Sequence, residues 1–217
     1  MNQRLAPIFA TAWRGVIVLL TVQIAAVSIF NYLIDSSGAP PPILTNAFAN
    51  PFLAIHVVAG VTALVIGPLQ FVRRIRERVP MLHRATGLIY VAACAVSVPA
   101  ALMLALGATA GPIAGAGFAM LALLLSVFTY FGLRTALERR FAEHREWMLR
   151  SYAMTATAIT LRLMIPASML LGFEFVPAYQ VIAWISWMTN LALVEYYIRR
   201  SRTSAATLAA NAPLRFA

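Results

Sequence analysis

Two of the chain's three histidines are each followed by arginine, as His83-Arg84 and His144-Arg145, and each pair closes an arginine-rich segment and opens an apolar one. Paired imidazoles in matching settings suit a metal, above all a haem iron held between two axial histidines, with Arg84 and Arg145 neutralising the propionates. Haem b is therefore the candidate cofactor, and His83 and His144 are the candidate metal ligands. The same residues admit two other roles: histidines close to water can pass protons, and a His-Arg pair at the end of a membrane helix can simply snorkel to lipid headgroups.

A second candidate layer contains His56 and Arg162, each within an apolar run. An arginine at the centre of a membrane helix costs about 3 kcal/mol on insertion scales, so Arg162 is expected to face the bundle interior, a water-filled cavity or a ligand. Pro166, four residues on, has no N–H to offer the Arg162 carbonyl, which leaves a free acceptor beside the guanidinium. Tyr152, Thr155, Ile159 and Arg162 share one helix face by their three- and four-residue spacing. The chemistry of this layer suits a small anionic ligand or a quinone-like headgroup. Glu195 is expected near the inner surface, too low to pair with Arg162.

The elements that must position these residues are membrane helices. With 61% hydrophobic and 11% charged residues in 217, the chain would expose too much apolar surface in water. Six apolar stretches are long enough to cross a hydrocarbon core of about 30 Å: about 14–34, 51–71, 84–107, 112–135, 150–172 and 176–198. Continuous apolar runs of this kind exclude a β-barrel, whose strands alternate. The expected fold is an all-α polytopic bundle, a single domain over 1–200, with a disordered tail over 201–217. The first stretch lacks a good cleavage site and is expected to stay as a span. Pro40-Pro41-Pro42 suggests an extended, stiff connection after it.

All 17 basic residues are arginine, and the net charge is +10. Apart from Arg162 they precede the first stretch, fill the connections after the second and fourth, or follow the sixth. That distribution is the positive-inside pattern, which places both termini in the cytoplasm. It makes anionic lipid headgroups the natural partners of the charge and leaves nucleic acid without support. Phe71 precedes His83 by 12 residues and Phe131 precedes His144 by 13, so spans two to five read as two repeated hairpins forming a four-helix core. Both His-Arg pairs then lie at its inner end. His56 stands roughly 22 Å and Arg162 roughly 18 Å above that end at 1.5 Å per residue, one shared depth that separates them from His83. Pro80 suits the first turn of the third helix, Pro99 a kink within it, and Gly111, Gly115 and Gly117 a close approach of helices three and four. Trp13, Trp147, Tyr196 and Tyr197 fit an interfacial aromatic belt, while Trp184 and Trp187 lie deeper. Cys94 is the single cysteine, so no intramolecular disulfide forms. Neither a phosphate-binding glycine loop nor a His-Glu-x-x-His motif occurs, and no catalytic residue is assigned.

The set His56-Val57-Val58-Ala59-Gly60, Gly67-Pro68-Leu69-Gln70-Phe71, His83-Arg84 with Gly87 and Tyr90, His144-Arg145-Glu146-Trp147-Met148, Arg150-Ser151-Tyr152-Ala153 and Thr160-Leu161-Arg162 resembles the bacterial membrane family catalogued as domain of unknown function 2306. The resemblance covers about residues 50–165 and leaves the first and last spans outside. It implies a small polytopic protein of a bacterial inner membrane, with no established reaction, and selects His56, His83, Arg84, His144, Trp147, Arg150, Tyr152 and Arg162 as the family positions. The leading expectation is a b-type cytochrome-like electron-transfer protein in which Arg162 faces a lipid-soluble carrier such as a quinone. The alternatives are a carrier or binding protein for a small anionic or amphipathic solute, and an accessory membrane subunit.

Overall fold

The computed structural model of the protein describes residues 5–35 and 41–210, and every regular element among them is helical. Helix α1 covers Leu5–Ile29 and passes into a π-helical turn, Phe30–Ile34; α2 is a single turn, Pro41–Leu44. Helix α3, Ala49–Ile66, ends in a 3-10 turn, Gly67–Phe71, and α4 is the short basic helix Arg73–Arg78. Then follow α5 (Pro80–Leu106), α6 (Pro112–Leu137), α7 (Phe141–Thr155), α8 (Thr157–Leu170) and α9 (Phe175–Ala210). Five of the resulting rods are long and apolar enough to cross a membrane, with α7 and α8 counting as one, and Val18–Ile34 is a shorter apolar helix.

Local chemistry explains most boundaries. Pro80 and Pro112 each occupy a first helical turn, where the missing N–H leaves no intrahelical bond unmade. Helix α6 stops because Arg139 turns left-handed at φ 60° and the Arg140 N–H reaches back to the Thr135 carbonyl at 2.8 Å. Gly172, φ 82°, closes α8 in the same way, with the Phe173 N–H on the Ser168 carbonyl at 3.1 Å. Asn50 leaves the helical region at the start of α3 (φ −99°, ψ 123°), as a residue before proline prefers.

Several boundaries differ from the sequence expectation. The fifth rod begins at Phe141 rather than near 150, so His144 and Arg145 stand in its first turn. Pro41 begins a helical turn where an extended segment was expected, because prolines fit a first turn as readily as a polyproline stretch. The last helix does not end near 198 but continues to Ala210; Ala- and Thr-rich sequence without proline or glycine offers no stop signal there. Residues 211–217 of the expected tail, and Pro40, lie outside the described residues.

Packing follows the expected repeat. Helix α3 lies on α5, α5 on α6 and α6 on α7, while α9 packs against α6, α7 and α8, and α1 against α3 and α8. The core centres on Ala63, Tyr90, Ala93, Cys94 and Met148. Outward faces are apolar: Leu19, Leu88 and Leu193 are each more than 60% exposed, as hydrocarbon contact requires. Close approach depends on small residues. A Cβ on Gly115 would lie 2.5 Å from the Ala105 carbonyl oxygen, and one on Gly67 would lie 2.4 Å from the Tyr152 ring.

Candidate functional site

Polar side chains fall into three layers. The first lies at the arginine-rich end and is dominated by charge pairing. Arg150 donates to Glu195 twice, Nε to Oε1 at 2.5 Å and Nη2 to Oε2 at 3.1 Å, and its guanidinium lies 4.8 Å from the Trp147 ring centre. Glu146 takes the Arg202 guanidinium and approaches Arg150 at 3.9 Å. Arg145 donates to the Tyr197 hydroxyl at 3.1 Å. Together these bonds latch α7 to α9. Trp147 stacks on Phe131 at 5.0 Å between ring centres, so it also packs the α6–α7 interface. At the exposed α6–α7 turn, hydrogen bonds from Arg134 and then Arg140 hold the Glu138 carboxyl below the usual carboxylate range.

His83 and His144 do come within electrostatic reach of one another in this layer, as the repeat predicts. Their hydrogen bonds differ. Nδ1–H of His144 donates to the Gly132 carbonyl at 2.7 Å, which leaves Nε2 free to ligate. The Gln70 amide, turned so that its nitrogen faces His83 and its oxygen accepts from the Gly87 N–H, donates to His83 Nδ1 at 3.2 Å. In this orientation His83 Nδ1 accepts while His144 Nδ1 donates, so the two histidines are held differently. Arg145 is drawn to α9, and Arg84 is exposed. No set of three or more metal-ligating side chains gathers among the described residues.

The second layer is a buried hydroxyl cluster. Tyr90, wholly buried, shares hydrogen bonds with Ser151 at 2.8 Å and Thr155 at 3.0 Å, and Ser151 with Thr129 at 2.7 Å. Thr129 donates to the Leu125 carbonyl. Each hydroxyl has a partner, so the cluster fastens α5, α6 and α7 together and leaves little capacity for a ligand. Tyr152 reaches the Leu64 carbonyl at 3.4 Å and packs on Phe71.

The expected stripe from Tyr152 to Arg162 is interrupted, because the helix breaks at Ala156 (ψ −10°). Asn190 of α9 holds the break: its amide nitrogen donates to the Ala153 carbonyl at 3.2 Å, and its oxygen accepts from Thr160 at 2.9 Å. Thr157 also bonds the Ala153 carbonyl, at 3.3 Å. Side chains thus take the acceptor that a continuous helix would give to its own backbone. Tyr152 and Thr155 stay with the hydroxyl cluster, and Arg162 belongs to the next layer.

That third layer gathers around Arg162. Nη1 of Arg162 donates to the Ala158 carbonyl at 3.2 Å, and none of the ion pairs among the described residues involves it. Tyr32 and Tyr179 lie within electrostatic reach of the guanidinium, Tyr32 from the π-helical turn that follows α1 and Tyr179 from α9; α1 and α9 both pack against α8. His56 is also within reach of Arg162, as equal depth predicts, and its Nδ1 shares a hydrogen bond with Ser97 at 3.0 Å. Three of the four backbones that bring in Tyr32, His56, Ser97 and Arg162 depart from regular α-helix nearby, and the fourth, α5, carries a proline but stays helical. Tyr32 is inside the π-helical turn, Asn50 kinks α3 six residues before His56, Pro99 follows Ser97 by two, and Arg162 sits between the Ala156 break and Pro166. Interrupted helices at membrane depth are tolerated where they are buried in protein or line a cavity, and in transporters they form ligand sites.

Residues 53–198 match the family described as Predicted membrane protein (DUF2306). The chain belongs to that family. All of α5 to α8 and most of α9 lie within the DUF2306 match, so the last span, expected outside it, is part of the family fold. No curated protein and no solved structure matches the chain.

Sequence reasoning missed Tyr32, Tyr179 and Asn190, and the Arg150–Glu195 pair. Tyr32 and Tyr179 stand in the first and last spans, far in sequence from Arg162, and only tertiary packing brings them near. Asn190 carried a signal that could have been used, since an amide in the middle of an apolar helix needs partners.

Proposed function

We propose that this DUF2306 protein is an integral membrane binding protein or carrier for a small anionic or polar-headed amphipathic solute, with Arg162 as its counter-ion. The observation that carries the reading is Arg162 itself: a permanent cation at membrane depth, bonded only to a carbonyl of its own helix among the described residues and flanked by two tyrosines and a histidine. Such a charge is costly unless something returns its energy, and interrupted helices around it are what a membrane binding site needs. The positive-inside bias assigns the arginine-rich end, with its α7–α9 latch, to the cytoplasmic face of a bacterial inner membrane. A b-type cytochrome is the weaker reading, because His83 and His144 are held by unlike hydrogen bonds and not as a matched pair.

The test is the thermal midpoint of detergent-purified protein with decanoate, an amphipathic anion, and with decylubiquinone, a lipid-soluble quinone. At least one of these probes raises the midpoint of the native chain and leaves that of Arg162→Ala unmoved. If neither raises it, or if the variant responds equally, the reading fails.

A further inference from the structure

We infer that the Arg162 layer recognises a monocarboxylate, an organic acid with one negative charge and an apolar body; this rests on the reading of that layer as a ligand site. Three observations point to the headgroup. Charge comes first. Arg162 stands in the middle of an apolar rod, and none of the ion pairs among the described residues involves it. One fixed positive charge is balanced by a single negative one. A doubly charged phosphate monoester would leave a surplus charge in a poorly solvated site, and a neutral quinone would leave the guanidinium unpaired, each at a cost of desolvation without return.

Geometry comes second. The guanidinium spends Nη1 on the Ala158 carbonyl, which leaves the edge formed by Nε and Nη2 unengaged among the described residues. Two parallel N–H donors on one edge are the fork that a carboxylate accepts in bidentate fashion. The third observation is the pair of phenols. Tyr32, in the π-helical turn after α1, and Tyr179, on α9, both lie within electrostatic reach of the same guanidinium. A bound carboxylate has four lone-pair positions, two of which the arginine fork takes; the two O–H groups are suited to the others. His56, held by Ser97, borders the layer and adds a polar wall. Tyr179 also packs on Phe118 at 5.4 Å and stacks on Phe175 at 5.2 Å, so an apolar body next to the headgroup meets aromatic surface.

The experiment compares three probes with the same ten-carbon tail on the full-length protein in detergent: decanoate, decyl phosphate and decylubiquinone. Binding is read as the concentration dependence of the thermal midpoint for the native chain, Arg162→Gln and Tyr179→Phe. The expected result is decanoate binding at least about tenfold more tightly than either other probe. Arg162→Gln abolishes that preference, and Tyr179→Phe weakens decanoate by about fivefold to tenfold while leaving the fold intact. Decyl phosphate or decylubiquinone binding as well as decanoate, and doing so through Arg162, overturns the carboxylate assignment and leaves the ligand site standing. Silence from all three probes overturns both. Because selectivity is measured on the native chain, the result stands even where a variant fails to fold.

Discussion

The two charged regions of this bundle treat arginine in opposite ways. At the arginine-rich end Arg150 is clasped by both oxygens of Glu195, stacked against Trp147 and approached by Glu146, and Arg202 and Arg145 complete the latch between α7 and α9. In the outer layer Arg162 has a carbonyl of its own helix and two phenols in reach, and no carboxylate pairs with it among the described residues. The first arrangement is closed, with charge and hydrogen bonds used up in packing. The second retains donors, and its helices are broken around it. Structural charge is paired within the protein, and charge kept for a ligand is not; that contrast locates the site better than the repeated His-Arg motif does.

The largest effect is expected from breaking the closed region. Glu195→Ala leaves Arg150 half-buried without its partner and should destabilise the protein by about 3–5 kcal/mol, read as a fall in thermal midpoint. Were the midpoint unchanged, the latch would be no more than a surface contact and the contrast would lose one side. Next is the hydroxyl cluster: Tyr90→Phe removes the hydroxyl shared with Ser151 and Thr155, which keep Thr129 and the Ser151 carbonyl as partners, and should cost about 1 kcal/mol by thermal or chemical unfolding, with ligand response preserved. A variant that lost ligand response instead would draw the cluster into the site. The smallest effect belongs to Glu138→Gln. The Glu138 carboxyl, titrating below its ordinary value, gives a contribution present above the unfolded carboxylate pKa and lost as pH falls through the lowered one. On a fully exposed turn that contribution is screened, and midpoints of the native chain and the variant at neutral pH should coincide.

Most of the fold could be read in the chain, because a bilayer allows few solutions: long apolar runs had to be helices, and arginine placement separated the two ends. The depth argument joined His56 to Arg162 across more than a hundred residues of sequence, and the structure brings them together. What escaped were features set by side-chain competition for backbone. Periodicity carried the Tyr152–Arg162 stripe through Ala156, where Asn190 and Thr157 divert the Ala153 carbonyl and stop the helix. The His-Arg repeat pointed to His83 and His144 as neighbours, which come within electrostatic reach, but not to Gln70 and Gly132, the hydrogen-bond partners that hold the two imidazoles differently. Tyr32 and Tyr179 could not be linked to Arg162 without knowing that α1 and α9 both pack against α8.

The most direct measurement is the thermal midpoint of ligand-free Arg162→Met set beside that of Glu195→Ala in the same detergent. A charge held for a ligand costs the empty protein stability, so Arg162→Met should be neutral or stabilising, by up to about 3 kcal/mol, while Glu195→Ala falls well below the native midpoint. A drop for Arg162→Met as large as that for Glu195→Ala would make Arg162 a structural hub and contradict the account.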